Sequence, residues 1–182
     1  MDNFLLMSKN EELERFSQQL GFSRTLFLDK DFTIITSNSA KEALKLIQQG
    51  KSKKLLTIYR PPSEELLRYV LEKTPADLVL GTEHINPHDH LHYPRAGLDQ
   101  VLCKIAAERG KVVAFSCSEI LNAVNQPQLL RRMMFNLTLC QKYKVKMLFS
   151  TFARDKWEMR SAHDLLALWR VLGGKGKHDL ML

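Results

Sequence analysis

The sequence predicts an α/β fold, a parallel sheet of about seven strands with helices packed outside it. Two observations predict it. Short apolar runs alternate with helical patterns along the whole chain. The runs LLTIY, DLVLG, VVAFS and KMLFS are also apolar on consecutive residues, as strands buried on both faces must be. A doubly wound sheet and a (β/α) barrel both satisfy this pattern. Units of about 25 residues are tight for a barrel but sufficient with short loops.

The elements follow in order. Phe4–Met7 is a short apolar run, and a helix over Glu11–Leu20 stops at Gly21. Leu26–Leu28 and Phe32–Thr36 are the next two runs, followed by a helix over Ala40–Gln48 ending at Gly50. Leu55–Tyr59 is a strand stopped by Pro61 and Pro62. Ser63 caps a helix over Glu64–Lys73, with acid in its first turn, where the helix dipole favours it. Asp77–Gly81 is a strand, followed by a loop containing Pro87 and Pro94. In the helix Gly97–Arg109, Leu98, Val101, Leu102, Ile105 and Ala106 fall on one stripe. Val112–Ser116 is a strand. A helix over Gln128–Tyr143 leads to the strand Lys146–Ser150, and a last helix over Ala162–Leu172 stops at Gly173 and Gly174. No linker, low-complexity segment or internal repeat divides the 182 residues, so one domain is expected, with 174–182 as a flexible basic tail. At this length roughly 70% of the unfolded chain's surface can be buried.

Charge is unevenly placed. Residues 101–182 carry 14 Lys/Arg against 6 Asp/Glu, whereas residues 1–100 carry 13 against 14. A polyanion is therefore expected to meet the second half. Cys103, Cys117 and Cys140 are odd in number and match no zinc or disulfide framework; they read as buried, reduced thiols of a cytosolic protein. The opening MDNFLLMSKN is not expected to act as a signal peptide, and no run approaches the ~20 apolar residues of a membrane span.

The helix Gln128–Tyr143 carries the basic surface. Leu129, Leu130, Met133, Met134, Leu137 and Cys140 are predicted to share its apolar face, with Arg131, Arg132, Phe135 and Lys142 opposite. Arg131 and Lys142 differ by only about 20° and lie roughly 16 Å apart along one line, a spacing that can follow a phosphate backbone. Arg154 and Arg160 follow the next strand, and Arg95 precedes the helix that begins at Gly97. Trp157 and Trp169 read as packing residues.

These segments resemble one family, the protein subunit of archaeal and eukaryotic ribonuclease P known in archaea as ribonuclease P protein component 3. The family shows a strand ending in a Gly-x-Glu-like turn, then Arg-Ser-Gly-Leu-Asn-x-Val-Leu opening a helix. Here these read LVLGTEH and RAGLDQVLCKIAAERG. Phe135-Asn136, Lys142-Tyr143-Lys144-Val145, Ser150, Arg160-Ser161 and Asp164-Leu165 match the family's later motifs. Ala96 and Asp99 depart from it, standing where the family usually has Ser and Asn.

The resemblance implies a TIM-barrel-like (β/α) barrel and a cytoplasmic ribonucleoprotein role in tRNA processing. In the family, the RNA subunit and its Mg²⁺ perform the endonucleolytic hydrolysis that removes the 5′ leader of precursor tRNA. The protein binds and stabilises that RNA and pairs with a small αβ subunit and other holoenzyme proteins. Arg95, Arg131, Arg132, Lys142, Arg154 and Arg160 are the residues expected to contact RNA or a partner. The sequence assigns the chain no catalytic residue, metal or cofactor of its own.

One stretch argues for an alternative. His84, His88, His90 and His92 lie within nine residues, with Glu83 and Asp89 among them, after a strand's C-terminal end. Metal-dependent phosphoesterases of the polymerase and histidinol phosphatase barrel type use such clusters. They also place His-x-His at the first strand, where this chain has FLLMSKN. The expected reading is a solvated or RNA-touching loop.

Overall fold

The computed structural model describes residues 1–175. Its strands are β1 (Asp2–Leu5), β2 (Arg24–Phe27), β3 (Phe32–Ile35), β4 (Leu56–Tyr59), β5 (Leu78–Leu80), β6 (Val112–Ser116) and β7 (Lys146–Ser150). The α-helices among the described residues are α1 (Glu11–Gln19), α2 (Ala40–Ser52), α3 (Glu64–Lys73), α4 (Gln100–Glu108), α5 (Cys117–Leu121), α6 (Gln126–Lys142) and α7 (Ala162–Val171). The βα alternation holds except that β3 follows β2 with no helix between, and every strand pair is parallel. None of the described helices is long and apolar enough to cross a membrane.

The seven strands form two sheets, β1-β2 and β3-β4-β5-β6-β7, and not one closed ladder. Two junctions explain this. At the first, the Phe4 N–H donates to the Ser150 hydroxyl at 2.8 Å, a side chain standing where a neighbouring carbonyl would continue the ladder. Only Leu5 and Ala153 bridge beyond it. At the second, the chain turns back within Leu28–Asp31, the Asp31 carboxylate accepts from the Phe27 N–H, and a single Leu28–Phe32 bridge forms. One apolar cluster nevertheless draws on every strand: Phe4, Leu26, Phe32, Ile58, Leu78, Ala114 and Leu148. A larger core fills the space between strands and helices around Tyr59, Ile47, Phe115, Phe149 and the fully buried Trp169.

Several boundaries differ from the sequence reading for local reasons. Helix α2 runs through Gly50, which was expected to end it. A Cβ there would lie 2.7 Å from the Thr57 methyl, so glycine lets α2 press onto the sheet. Helix α4 begins at Gln100 because Gly97 takes φ +79° and Asp99 caps the helix, its carboxylate accepting from Leu102 N–H at 2.7 Å. Asp serves this role as well as the Asn expected there. Strand β1 starts at Asp2, and its Asn3 is buried because its amide donates to the Ser17 hydroxyl at 2.9 Å. The three cysteines are buried and free, as expected. Gly174 lies against the Trp169 ring; 176–182, most of the expected tail, lie outside the described residues.

Candidate functional site

The C-terminal ends of β4, β5, β6 and β7 open onto one cleft of about 400 Å³. Arg60 follows β4, Glu83 and His84 sit in a 3₁₀ turn after β5, Glu119 lies in α5 directly after β6, and Arg154 follows β7. α6 closes one side with Gln128, Leu129 and Arg132. Glu119 is the hub. Its Oε1 meets Arg60 Nη1 at 2.8 Å and its Oε2 lies 2.8 Å from His84 Nε2. The hydrogen bond to Glu119 raises the His84 pKa. Burial would lift Glu119, but the His84 bond and Arg60 outweigh it and hold its carboxyl low. Burial first, then the charge of Glu119, pushes Glu83 up to about 7.

The inward face of α6 keeps Leu129, Met133, Leu137 and Cys140 of the set periodicity selects, but turns towards Arg132 and Asn136 and away from Met134. Leu129, Arg132, Met133, Asn136, Leu137 and Cys140 are buried, while Met134 is exposed. Arg132 and Asn136 can face inward because the loop after β5 folds over them. The Arg132 Nη1 donates to the Glu83 and Asn86 carbonyls at 2.9 and 2.7 Å, and its Nε to Asp89 at 2.7 Å. Asn136 donates to the Thr82 hydroxyl at 3.1 Å and the Ala96 carbonyl at 2.8 Å. The sequence places Arg132 in the RNA- or partner-facing set, but only 5% of it is exposed. It holds the loop instead.

The other candidates separate into two groups. Arg131 and Lys142 do share the outer face of α6 with the partly exposed Phe135. Arg131 pairs with Asp89 at 3.2 Å, and Lys142 Nζ lies 5.6 Å from the Tyr143 ring centre. Arg95 and Lys142 line a second groove of about 570 Å³ with Tyr93, Phe135 and Tyr143. Arg154 is exposed at the first cleft. Arg160 is turned onto its own loop, with Nη1 donating to the Trp157 and Met159 carbonyls at 2.7 and 2.8 Å. Trp157, expected to pack, is 86% exposed, because an Asp155-capped turn presents it outward.

The histidines also divide. His88, His90 and His92 are exposed, with His90 stacked on Tyr93 at 4.5 Å. Among the described residues, His84 is the histidine that joins carboxylates: Glu83, His84 and Glu119 each offer a ligand atom within 4.8 Å of the others. Sequence reasoning missed Glu119. The signal for it was the Ser116 N-cap, whose hydroxyl accepts from Glu119 N–H at 3.2 Å and starts α5 at the strand's end.

No protein-family model matches the chain. Curated proteins do. It is 39% identical over 79 residues to ribonuclease P protein component 3 of Thermococcus kodakarensis, spanning 42% of this chain and 36% of that protein. It is 31% identical over 114 residues to the protein of the same name from Methanosarcina acetivorans, spanning 61% of this chain and 44% of that one. Both relatives carry the name ribonuclease P protein component 3, and this chain is similar to them in sequence. These two matches span less than half of each relative's length. A chain of a solved structure, the cryo-EM structure of archaeal ribonuclease P with mature tRNA, superposes with TM-score 0.77 at 18% identity. That match covers 96% of this chain and 83% of the other, and it establishes a shared α/β fold across nearly the whole chain.

Proposed function

We propose that this chain is a protein subunit of ribonuclease P. It binds and stabilises the catalytic RNA and its partner subunits, and so supports removal of the 5′ leader from precursor tRNA. The observation that carries this reading is the 39% identity to a curated component 3 protein. The concentration of positive charge in residues 101–182 agrees with it. The chemistry belongs to Mg²⁺ held with the RNA, where metal-bound water attacks the phosphodiester. The chain's part is to neutralise crowded phosphates and to present docking surfaces to a small αβ subunit and other proteins of a cytoplasmic complex.

We infer a single TIM-barrel-like domain. The apolar cluster shared by all seven strands and the Leu5–Ala153 and Leu28–Phe32 bridges support that geometry.

The test is reconstitution of precursor-tRNA cleavage from RNA and partner subunits with and without this chain. Its addition is expected to lower the Mg²⁺ needed for cleavage. The chain alone, given Mg²⁺, Mn²⁺ or Zn²⁺, is expected to cut nothing. Correct 5′ processing without the RNA would replace this reading with a phosphoesterase acting in its own right.

A further inference from the structure

We propose that Glu83, His84 and Glu119 form a binding site for one divalent transition-metal ion of the zinc or manganese class. This departs from the sequence reading, which gives the chain no metal, and the residue that changes it is Glu119. The three ligand atoms lie within 4.8 Å of one another, close enough to share one ion. They stand on adjacent strand ends, since β5 and β6 pair in register at Leu80 and Ala114. Two carboxylates and an imidazole are a donor set that Zn²⁺ and Mn²⁺ accept.

A second observation points to a ligand. Glu83 is fully buried, and its Oε1 has no hydrogen-bond partner. A buried acceptor left unmet is costly, and a cation between the carboxylates would meet it. The surrounding groups already hold the ligands in place, as outer partners do in metal sites. The Thr82 hydroxyl donates to Glu83 Oε2 at 3.3 Å and is itself held by Asn136. Arg60 occupies Glu119 Oε1, which leaves Oε2 on the His84 side. His84 is 39% exposed in its side chain, at the wall of the cleft, so an ion has a route in. The bound ion ties the loop after β5 to α5, and this role is separate from RNA cleavage.

The experiment is equilibrium dialysis of the whole chelator-treated chain against Zn²⁺ and Mn²⁺, followed by metal analysis. One equivalent per chain is expected, with a raised unfolding temperature. Loss of an outer partner typically weakens metal binding by about 10–100-fold, so Glu83→Gln and His84→Gln should each weaken it by at least roughly 100-fold. Thr82→Val should cost about 10-fold. The triple change His88→Ala, His90→Ala and His92→Ala should leave binding unchanged. Mn²⁺ has little affinity for thiols, so its arm is blind to the cysteines. Absence of stoichiometric binding would overturn the assignment. Binding that survives both Glu83→Gln and His84→Gln, or that vanishes in the triple variant, would overturn it too. His84→Gln changes a half-exposed residue, so the test stands even if Glu83→Gln does not fold.

Discussion

Arg132 Nε donates to Asp89 Oδ1 at 2.7 Å, the shortest side-chain pairing between the loop after β5 and α6. Both side chains are largely out of solvent, and the same guanidinium meets two loop carbonyls. Losing one partner of a buried pair costs roughly 3–5 kcal/mol; Asp89 keeps the Arg95 N–H and Arg131, so the low end, about 3 kcal/mol, is expected. Arg132→Ala should lower the urea midpoint of the chain accordingly, and Arg131→Ala, one residue away but exposed, should barely move it. Weakened RNA binding at unchanged stability in Arg132→Ala would return this residue to the contact surface.

Asp89 adds a pH dependence with a definite sign. Burial would raise its pKa from 3.8, but the Arg95 N–H and the Arg132 and Gln128 side chains outweigh that and hold it low. A folded-state pKa below the unfolded value gives stability that is present above about pH 4. That stability is lost as the pH falls through the folded pKa. Acid unfolding curves of Asp89→Asn should therefore be shallower than wild type below about pH 4. Equal slopes for the two proteins would mean that the pair does not shift Asp89.

Gly97 gives a steric prediction. It holds φ +79°, and a Cβ would stand 2.1 Å from the Thr82 carbonyl oxygen. Gly110 also has positive φ, at +62°, but nothing lies within 4 Å of its would-be Cβ. Gly110→Ala should thus cost only the left-handed strain, about 1–2 kcal/mol. Gly97→Ala must also displace the turn that carries Glu83, and should cost at least about 3 kcal/mol. Equal thermal shifts for the two variants would show that the turn yields easily.

The βα order was legible because LLTIY, DLVLG, VVAFS and KMLFS are continuous apolar runs that leave little choice of element. The basic outer face of α6 was legible from spacing, since Arg131, Phe135 and Lys142 do share it. The inward set was legible only in part: Leu129, Met133, Leu137 and Cys140 were, and Arg132 and Asn136 were not. Periodicity ranks residues by hydrophobicity and so selects Leu130 and Met134 over Arg132 and Asn136. Those two are buried only through partners 40 or more positions away in the chain. Helix α5 was hidden because CSEIL is too short to show a period, and with it went Glu119. The split between two sheets was equally hidden, since it rests on the Ser150 hydroxyl replacing a backbone acceptor and on the Asp31 carboxylate taking the Phe27 N–H.

The exposed histidines should be dispensable. His88, His90 and His92 point to solvent, and His90 is occupied in a stack with Tyr93. Changing His88 and His90 together to Ala should leave reconstituted cleavage within a few-fold of wild type. Removing a catalytic metal would instead cost several orders of magnitude. A collapse of turnover with fold and RNA affinity intact would mark this loop as an active site.

The outer face of α6 yields the prediction that bears most directly on RNA. Arg131 and Lys142 are exposed and roughly in line, with Phe135 between them. A cation seated on a phosphate releases condensed counterions. Each such cation removed should flatten the dependence of log K on log salt by about one unit. Arg131→Ala with Lys142→Ala should therefore weaken RNA binding and reduce the slope by about two units. Arg131 already spends part of its charge on Asp89 at 3.2 Å. Its own contribution should then be the smaller, and Lys142→Ala alone should account for more of the change. Raised Mg²⁺ should partly restore cleavage by the double variant, because divalent ions replace the missing screening. An unchanged salt slope together with failure to bind the αβ partner would reassign this face to a protein interface.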